Sequence, residues 1–489
     1  MYFTAPAAQA MESSYSVLPL LIVLVPMAGA LACGLVRHRE HLCHLVASAA
    51  AFVAFIMSAI LFPLVKKGDV LFAFEKFIGL GLFFRVDFIG LVFALFVSFI
   101  WFLVILNSTS FKGQGHSSTR YFIFMLLTLG GCLGVFLTAD FFSLFLFFEA
   151  MTLFSYVLVV HEQSEEALSA GRKYLFLGIF GGLCLLSAIL LLFSQTGTVK
   201  IVSSMEALAG LGGVNYLIAI LFFIGFGIKA AAVPLHVWMP RAYEFAPSAV
   251  NAISSAAMLK AGAYGLIRVY AVLFTPHDVH SGLWGITENL GYAVIWIGIV
   301  TMATGAALAL SQTHAKRVLA YSSISQMGYI LMGIGAAAYL GHHGAVSFAG
   351  LTYHIINHAF FKAAMFLMIG AIYLRTKDLN YDRLGGLWRS FPVTAVAFLI
   401  AGAAISGFPA FNGYASKTLL HHAIVEALEH RHITSLWFAE KIFVVTSGLT
   451  FCYILRLFTT IYQQVEPGRC FTGNRPRAAG GGAHCQQPA

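Results

Sequence analysis

Charge is what this sequence has least of. Only 10% of its 489 residues are Asp, Glu, Lys or Arg, while 59% are hydrophobic. A soluble domain carries about 25% charged residues. The shortfall excludes an ordinary soluble enzyme, a disordered chain and a disulfide scaffold. A soluble core could not hide this much apolar surface, so the main solvent is lipid. Paired cysteines are also missing. Cys33, Cys43, Cys132, Cys184, Cys452, Cys470 and Cys485 form no C-x-x-C and no iron–sulfur run. The chain therefore reads as one without a redox centre, metal or other cofactor of its own. It has no P-loop lysine motif, which argues against an ATP-driven pump. Gly333-Ile-Gly335-Ala-Ala-Ala338 formally fits a dinucleotide pattern but follows no strand, so it reads as helix packing. The net charge of +9 comes with no basic run, which argues against a nucleic-acid partner. No basic n-region precedes the first apolar stretch, so no cleaved signal peptide is expected.

What is present is a series of apolar runs long enough to span a bilayer. They fall at 17–36, 42–65, 86–106, 121–138, 140–161, 171–194, 214–236, 247–275, 289–310, 319–340, 344–374, 391–425 and 434–463. The pattern predicts an all-α polytopic membrane protein with about thirteen or fourteen helices. The 121–138 and 140–161 runs are nearly contiguous and predict an antiparallel helix hairpin. The 66–85 segment, with alternating apolar residues, predicts a short hairpin or interfacial turn. The tail from Val465 is rich in Gly, Pro and Arg and reads as disordered.

Lysine and arginine set the orientation. They crowd one set of connections: Arg37, Arg39, Lys112, Arg120, Arg172, Lys173, Arg241, Lys316, Arg317, Arg375, Lys377, Arg383 and Arg389, with Arg469, Arg475 and Arg477 in the tail. The other set holds only Lys66, Lys67, Lys76, Arg85, Lys200 and Arg431. The N-terminus is expected outside and the C-terminus inside.

Two runs are interrupted. Pro234, Pro240 and Pro247 follow or end 214–236, and Gly407, Pro409 and Gly413 break 391–425. Proline removes an amide donor and clashes with the preceding turn. Such breaks persist in lipid only where protein or cavity water satisfies the backbone. Broken helices in two corresponding regions point to a transport site; simple kinks are the bland alternative.

A few charges fall inside spans: Glu149, Lys229, Lys260, Lys362 and Lys417. An isolated charge there costs about 2.5–3.5 kcal/mol, so each must be neutral, paired or beside water. His354, His358 and Lys362 follow at i, i+4 and i+8, on one helix face and roughly 6 Å apart per step. That separation suits proton transfer through one or two waters. Histidine both donates and accepts near neutral pH. Desolvation loosens a lysine's proton and a nearby carboxylate tightens it, so a lysine whose partner moves is a switchable proton site. The bland readings are packing histidines and a structural Lys229–Glu149 pair. A zinc site at His354 and His358 is disfavoured by the cationic Lys362 one turn on. Arg268 and Arg456 lie nearer helix ends and are read as snorkelling candidates. Glu440 and Lys441 are ambiguous.

Lys229-Ala-Ala-Ala-Val-Pro-Leu-His-Val-Trp-Met-Pro-Arg-Ala-Tyr-Glu-Phe-Ala-Pro247 resembles a signature of the antiporter-like subunits of complex I, Mrp antiporters, membrane-bound hydrogenases and formate hydrogenlyases. Similar to further signatures of that family are Lys316-Arg-Val-Leu-Ala-Tyr-Ser-Ser-Ile-Ser-Gln-Met-Gly328-Tyr, His354-Ile-Ile-Asn-His358-Ala-Phe-Phe-Lys362-Ala and Ser406-Gly-Phe-Pro-Ala-Phe-Asn-Gly-Tyr-Ala-Ser-Lys417. Glu149 in Phe148-Glu-Ala-Met and Arg172-Lys-Tyr174 also fit. The resemblance covers roughly 85–460.

It implies two inverted five-helix repeats with broken helices. The expected division is 1–120 (N-terminal helices), 121–275 (first repeat), 289–463 (second repeat) and 464–489 (tail). It implies that Glu149 pairs with Lys229, that Lys260 links this half to the His354/His358/Lys362 stripe, and that Lys417 is the exit-side lysine. The implied function is proton or Na+/proton translocation in a redox-driven complex of the NADH:quinone oxidoreductase or hydrogenase type, or in an Mrp antiporter. Redox chemistry would belong to partner subunits. Expected partners are other membrane subunits, a peripheral redox arm or antiporter subunits, and the lipid of a bacterial or archaeal cytoplasmic membrane. The absence of a long lateral helix after the last span sets the chain apart from the largest subunit type, and a truncated or shifted reading of a longer gene is one expectation for the tail. Rival functions are a standalone cation/proton antiporter, an organic-solute carrier and a non-conducting scaffold protein of such a complex. A scaffold would be free to lose its buried charges, and this chain keeps them.

Overall fold

The computed structural model describes residues 13–75, 81–108, 118–278 and 280–463. Lys76, Lys112, and the tail with Arg469, Arg475 and Arg477 lie outside the described residues, so the expectations placed on them have no structural counterpart here.

Helices dominate, as the apolar runs predict. The first half holds α1 (Leu18–Leu35), α2 (Glu40–Val65), α3 (Phe88–Asn107), α4 (Ser118–Leu137), α5 (Phe141–Val159), α6 (Glu165–Thr196), a short α7 (Met205–Leu208) and α8 (Gly213–Lys229). The rest is α9 (Met239–Phe245), α10 (Ser248–Ile253), α11 (Leu259–Arg268), α12 (Trp284–Ser311), α13 (Ala315–Leu340), α14 (Ala345–Thr376), α15 (Pro392–Ser406), α16 (Asn412–Arg431) and α17 (Thr434–Tyr462). Among the described residues, eleven spans are long and apolar enough to cross a membrane, and α8 and α15 are shorter apolar helices. The chain is an integral membrane protein.

Local sequence explains the ends. Asp87 starts α3 by accepting from the Gly90 amide at 2.8 Å, and Asp140 starts α5 by accepting from Ser143 at 2.7 Å. Ser164 does the same for α6, with Glu165 and Glu166 in its positive first turn. The α4–α5 turn is only Thr138–Asp140, which makes the expected hairpin.

The described parts of 66–85 pair as strands. Strands β2 (Val70–Phe74) and β3 (Leu82–Val86) pair antiparallel, and β1 (Ser14–Tyr15) adds in parallel. This small sheet departs from an entirely helical chain. It caps the end where α1, α3 and α5 begin, and backbone bridges Phe84–Thr138 and Asp140–Lys200 tie the connections together there. The His314–Asn380 bridge does so at the opposite end.

The most enclosed spans are Ser248–Leu273 and Ala315–His343, 94% buried against 39% for α1, α2, α6 and α17. They form the centre, where charged side chains are kept from lipid. Along α12 the residues Gly291, Gly298 and Gly305 face Gly335, Gly328 and Ser325 of α13, so close that a Cβ would collide with the opposite backbone. Gly335 thus packs helices, as read. The span 247–275 is continuous but carries π-helical turns at Ser254–Met258 and Val269–Leu273, which its sequence does not announce.

Candidate functional site

Both interruptions are real breaks. Helix α8 stops at Lys229, and Ala230–Val233 turn before a short 3₁₀ segment (Leu235–Trp238) and α9. The freed backbone finds protein partners. The Trp238 indole donates to the Ile228 carbonyl at 2.8 Å, and the Val233 amide donates to Thr301 Oγ1 at 3.0 Å. The second break is Gly407–Phe411 between α15 and α16. Gly407 takes φ of +78°, a left-handed conformation suited to glycine.

Each break holds a buried lysine. Lys229 is the last residue of α8. Its ammonium donates to Thr152 Oγ1 of α5 at 3.0 Å and to the Tyr174 hydroxyl of α6 at 2.6 Å. Lys417 donates to the Ser406 carbonyl at 3.5 Å, at the C-terminal end of α15, and lies 4.9 Å from the Tyr329 ring centre. A cation at a helix C-terminus opposes the negative end of the helix dipole.

Glu149 lies in mid-α5 against Gly182 of α6, where a Cβ would come within 2.6 Å of the carboxyl carbon. Its Oε1 is buried without a hydrogen-bond partner. The direct Glu149–Lys229 pair implied by resemblance is not made in this conformation. Thr152, three residues on along the same face of α5, and Tyr174 take the ammonium instead.

The central connection is direct. Lys260 Nζ lies 2.8 Å from His358 Nδ1 and donates to the Ser255 carbonyl at 2.5 Å. That carbonyl lies in the π-helical turn, where the backbone bonding pattern is shifted. His354, His358 and Lys362 share one face of α14, as predicted, and none is exposed. The two imidazoles stack with centres 6.3 Å apart. His354 Nδ1 reaches Ser416 of α16 at 3.1 Å, one residue before Lys417. Lys362 donates to the Leu319 carbonyl of α13 at 3.0 Å. The structure therefore brings Lys260, His358, His354 and the Lys417 region into one series. Glu149 and Lys229 form a separate neighbourhood.

Arg268 and Lys316 depart from their sequence reading. Arg268 does not snorkel. It is buried and bonds Asp87 through both guanidinium ends at 2.7 Å, with the Tyr264 hydroxyl at 2.8 Å. Arg456 bonds the Leu310 carbonyl and covers the Tyr381 ring. Lys316, read as a loop charge, is buried and donates to the Ala246 carbonyl at 2.8 Å. Its head lines a 520 Å³ cavity with His161, Glu162, Glu244 and His314. Thr152 and Ser416 were also missed, where the available signal was a hydroxyl in an apolar span; the Ser255 carbonyl that takes Lys260 has no such signal.

This geometry lies inside a region with known relatives. The family described as NADH:quinone oxidoreductase/Mrp antiporter, TM, matches residues 138–450. The chain belongs to that family. Two Na(+)/H(+) antiporter subunits of Alkalihalophilus pseudofirmus are similar to it. One is 33% identical over 316 residues, covering 63% of this chain and 61% of that protein. The other, a longer protein, is 33% identical over 389 residues, covering 76% and 47%. The chain thus spans about half the length of the longer relatives it matches. The Mrp complex from Dietzia sp. DQ12-45-1b contains a chain that superposes with a TM-score of 0.79 at 26% identity, covering 92% of this chain and 82% of that one. A chain of an archaeal membrane-bound sulfane sulfur reductase gives 0.79 at 28%, covering 91% and 70%.

Proposed function

We propose that this chain is a proton- or Na+/proton-translocating membrane subunit of an Mrp-type cation/proton antiporter complex. The observation that carries the reading is the Lys260–His358 hydrogen bond, continued by stacking to His354 and by its bond to Ser416 beside Lys417. Each member can hold or release a proton, and all lie in the protein interior, away from lipid. Glu149 and Lys229 serve as the switch at one end. Moving the carboxylate onto the ammonium would hold its proton, and moving it away would release it. Lys417 serves at the other end. The division into repeats 121–275 and 289–463, with the sheet end of the molecule outside, belongs to the same reading. The Lys and Arg distribution supports that orientation. The relatives are antiporter subunits, which favours antiporter partners in the membrane.

A redox-driven complex is the second reading, favoured by the likeness to the sulfane sulfur reductase chain. In both readings partner subunits complete the machine. The test is to co-express the chain with its neighbouring genes and follow cation-driven proton movement in vesicles. Lys229→Ala is expected to abolish it with assembly intact. Unchanged movement would overturn the assignment.

A further inference from the structure

We propose that His421 and Glu440 form the outer step of the proton route, carrying the proton from Lys417 to the surface at the sheet end. The inference rests on the translocating function above. His421 lies one turn beyond Lys417 on the same face of α16, toward the end at Arg431. Its Nε2 is 2.9 Å from Glu440 Oε1 of α17, and Glu440 Oε2 is 2.7 Å from Lys441. A chain of aromatic contacts runs from Lys417 to His421. Tyr329, under Lys417, meets Phe443 edge-on at 4.9 Å, and Phe443 lies 5.5 Å from the His421 ring.

The His421–Glu440 pair stands at the edge of the buried region. Lys417 is 6% exposed and Glu440 8%, while the His421 and Lys441 side chains reach 35% and 54%. This is where the buried series from Lys260 meets the surface. Lys441 alone would balance the Glu440 charge, so the histidine is not needed for neutrality. An imidazole can accept a proton on one nitrogen and release one from the other. The N–H bond of Lys417 breaks across bridging water, and an N–H bond forms on one His421 nitrogen. The Nε2–H bond then breaks as an O–H bond forms on Glu440, which loses its proton to outside water. No electrons move. Charged and titratable groups around His421 are Lys417, His422, Glu440 and Lys441.

The test uses the assembled complex in vesicles, with the parent chain and Lys229→Ala measured alongside. His421→Gln keeps an amide donor for Glu440 but cannot relay a proton. Proton movement is expected to fall about tenfold or more. Glu440→Gln should fall likewise. His421→Gly should fall and recover when imidazole is added at the α16–α17 side. Parental rates in His421→Gln, or an inactive His421→Gly that imidazole does not restore, would overturn the proposal. A parent chain that moves protons and a silent Lys229→Ala would show that only this step had failed. An inactive parent complex would overturn the functional reading itself.

Discussion

Lys260 and His358 share a hydrogen bond of 2.8 Å between helices α11 and α14, with neither residue exposed. The contact can be read with the ammonium donating to Nδ1 or with a neutral amine accepting from Nδ1–H. The ammonium also donates to the Ser255 carbonyl, and an amine retains a hydrogen for it. Moving the proton between the two partners therefore leaves the surrounding bonds intact. That is the property a relay needs and a structural pair does not.

Removing either partner should stop the relay. Lys260→Ala and His358→Ala are each expected to lower cation-driven proton movement about a hundredfold. The double variant should be no worse than the singles, because both act in one step. Vesicle assays of the three variants, with assembly followed on native gels, check this.

Arg268 and Asp87 make the opposite kind of pair, bidentate and structural. Arg268→Ala leaves a partly buried carboxylate unpaired and should destabilise the chain by about 3 kcal/mol. Asp87→Asn combined with Arg268→Met should restore most of that loss. Thermal unfolding in detergent measures both, and the two changes together must be milder than Arg268→Ala alone.

The α12–α13 contact makes a further test. Gly298→Ala places a methyl against the Met332 backbone and should cost about 1–3 kcal/mol. Gly448 of α17 has open space around it. There Ala should stabilise by about 0.5–1 kcal/mol, because glycine is the poorer helix former. Paired unfolding measurements give opposite signs.

His314 lies just before α13. Burial, and then the nearby Lys316, push its pKa down to about 4. The folded chain therefore binds this proton less tightly than the unfolded chain. Its contribution to stability is full above the ordinary histidine value near 6.5 and is lost as pH falls from there toward about 4. His314→Gln should flatten the pH dependence of unfolding in that window and leave pH 8 little changed.

The spans were legible because lipid demands long apolar runs, and the breaks because Pro234 and the Gly407–Pro409 stretch disfavour a continuous helix. The buried charges were legible as exceptions within those runs. Their partners were not. The Thr152 hydroxyl donates to the Phe148 carbonyl one turn back while also accepting from Lys229, and nothing in the sequence separates those two uses. Arg268 looked like a helix-end charge because its partner lies 181 residues earlier. The Ser254–Met258 π-turn, which shifts the backbone where Lys260 binds, has no residue that marks it. Sequence thus marked several out-of-place groups but not Lys316 or Arg268, and only the fold revealed what each one holds.

The glycine seam between α12 and α13 also has a mechanical meaning. Side chains can rotate away from pressure, but two backbones in contact cannot. The direct backbone contact makes the pair a closely packed strut against the centre of the molecule. Leu319, whose carbonyl holds Lys362, rides on that strut. Compliance is left to the unwound turns at Ala230–Val233 and Gly407–Phe411. A stroke of this protein would bend there, with Lys229 at the edge of one turn and Lys417 bonded across the other.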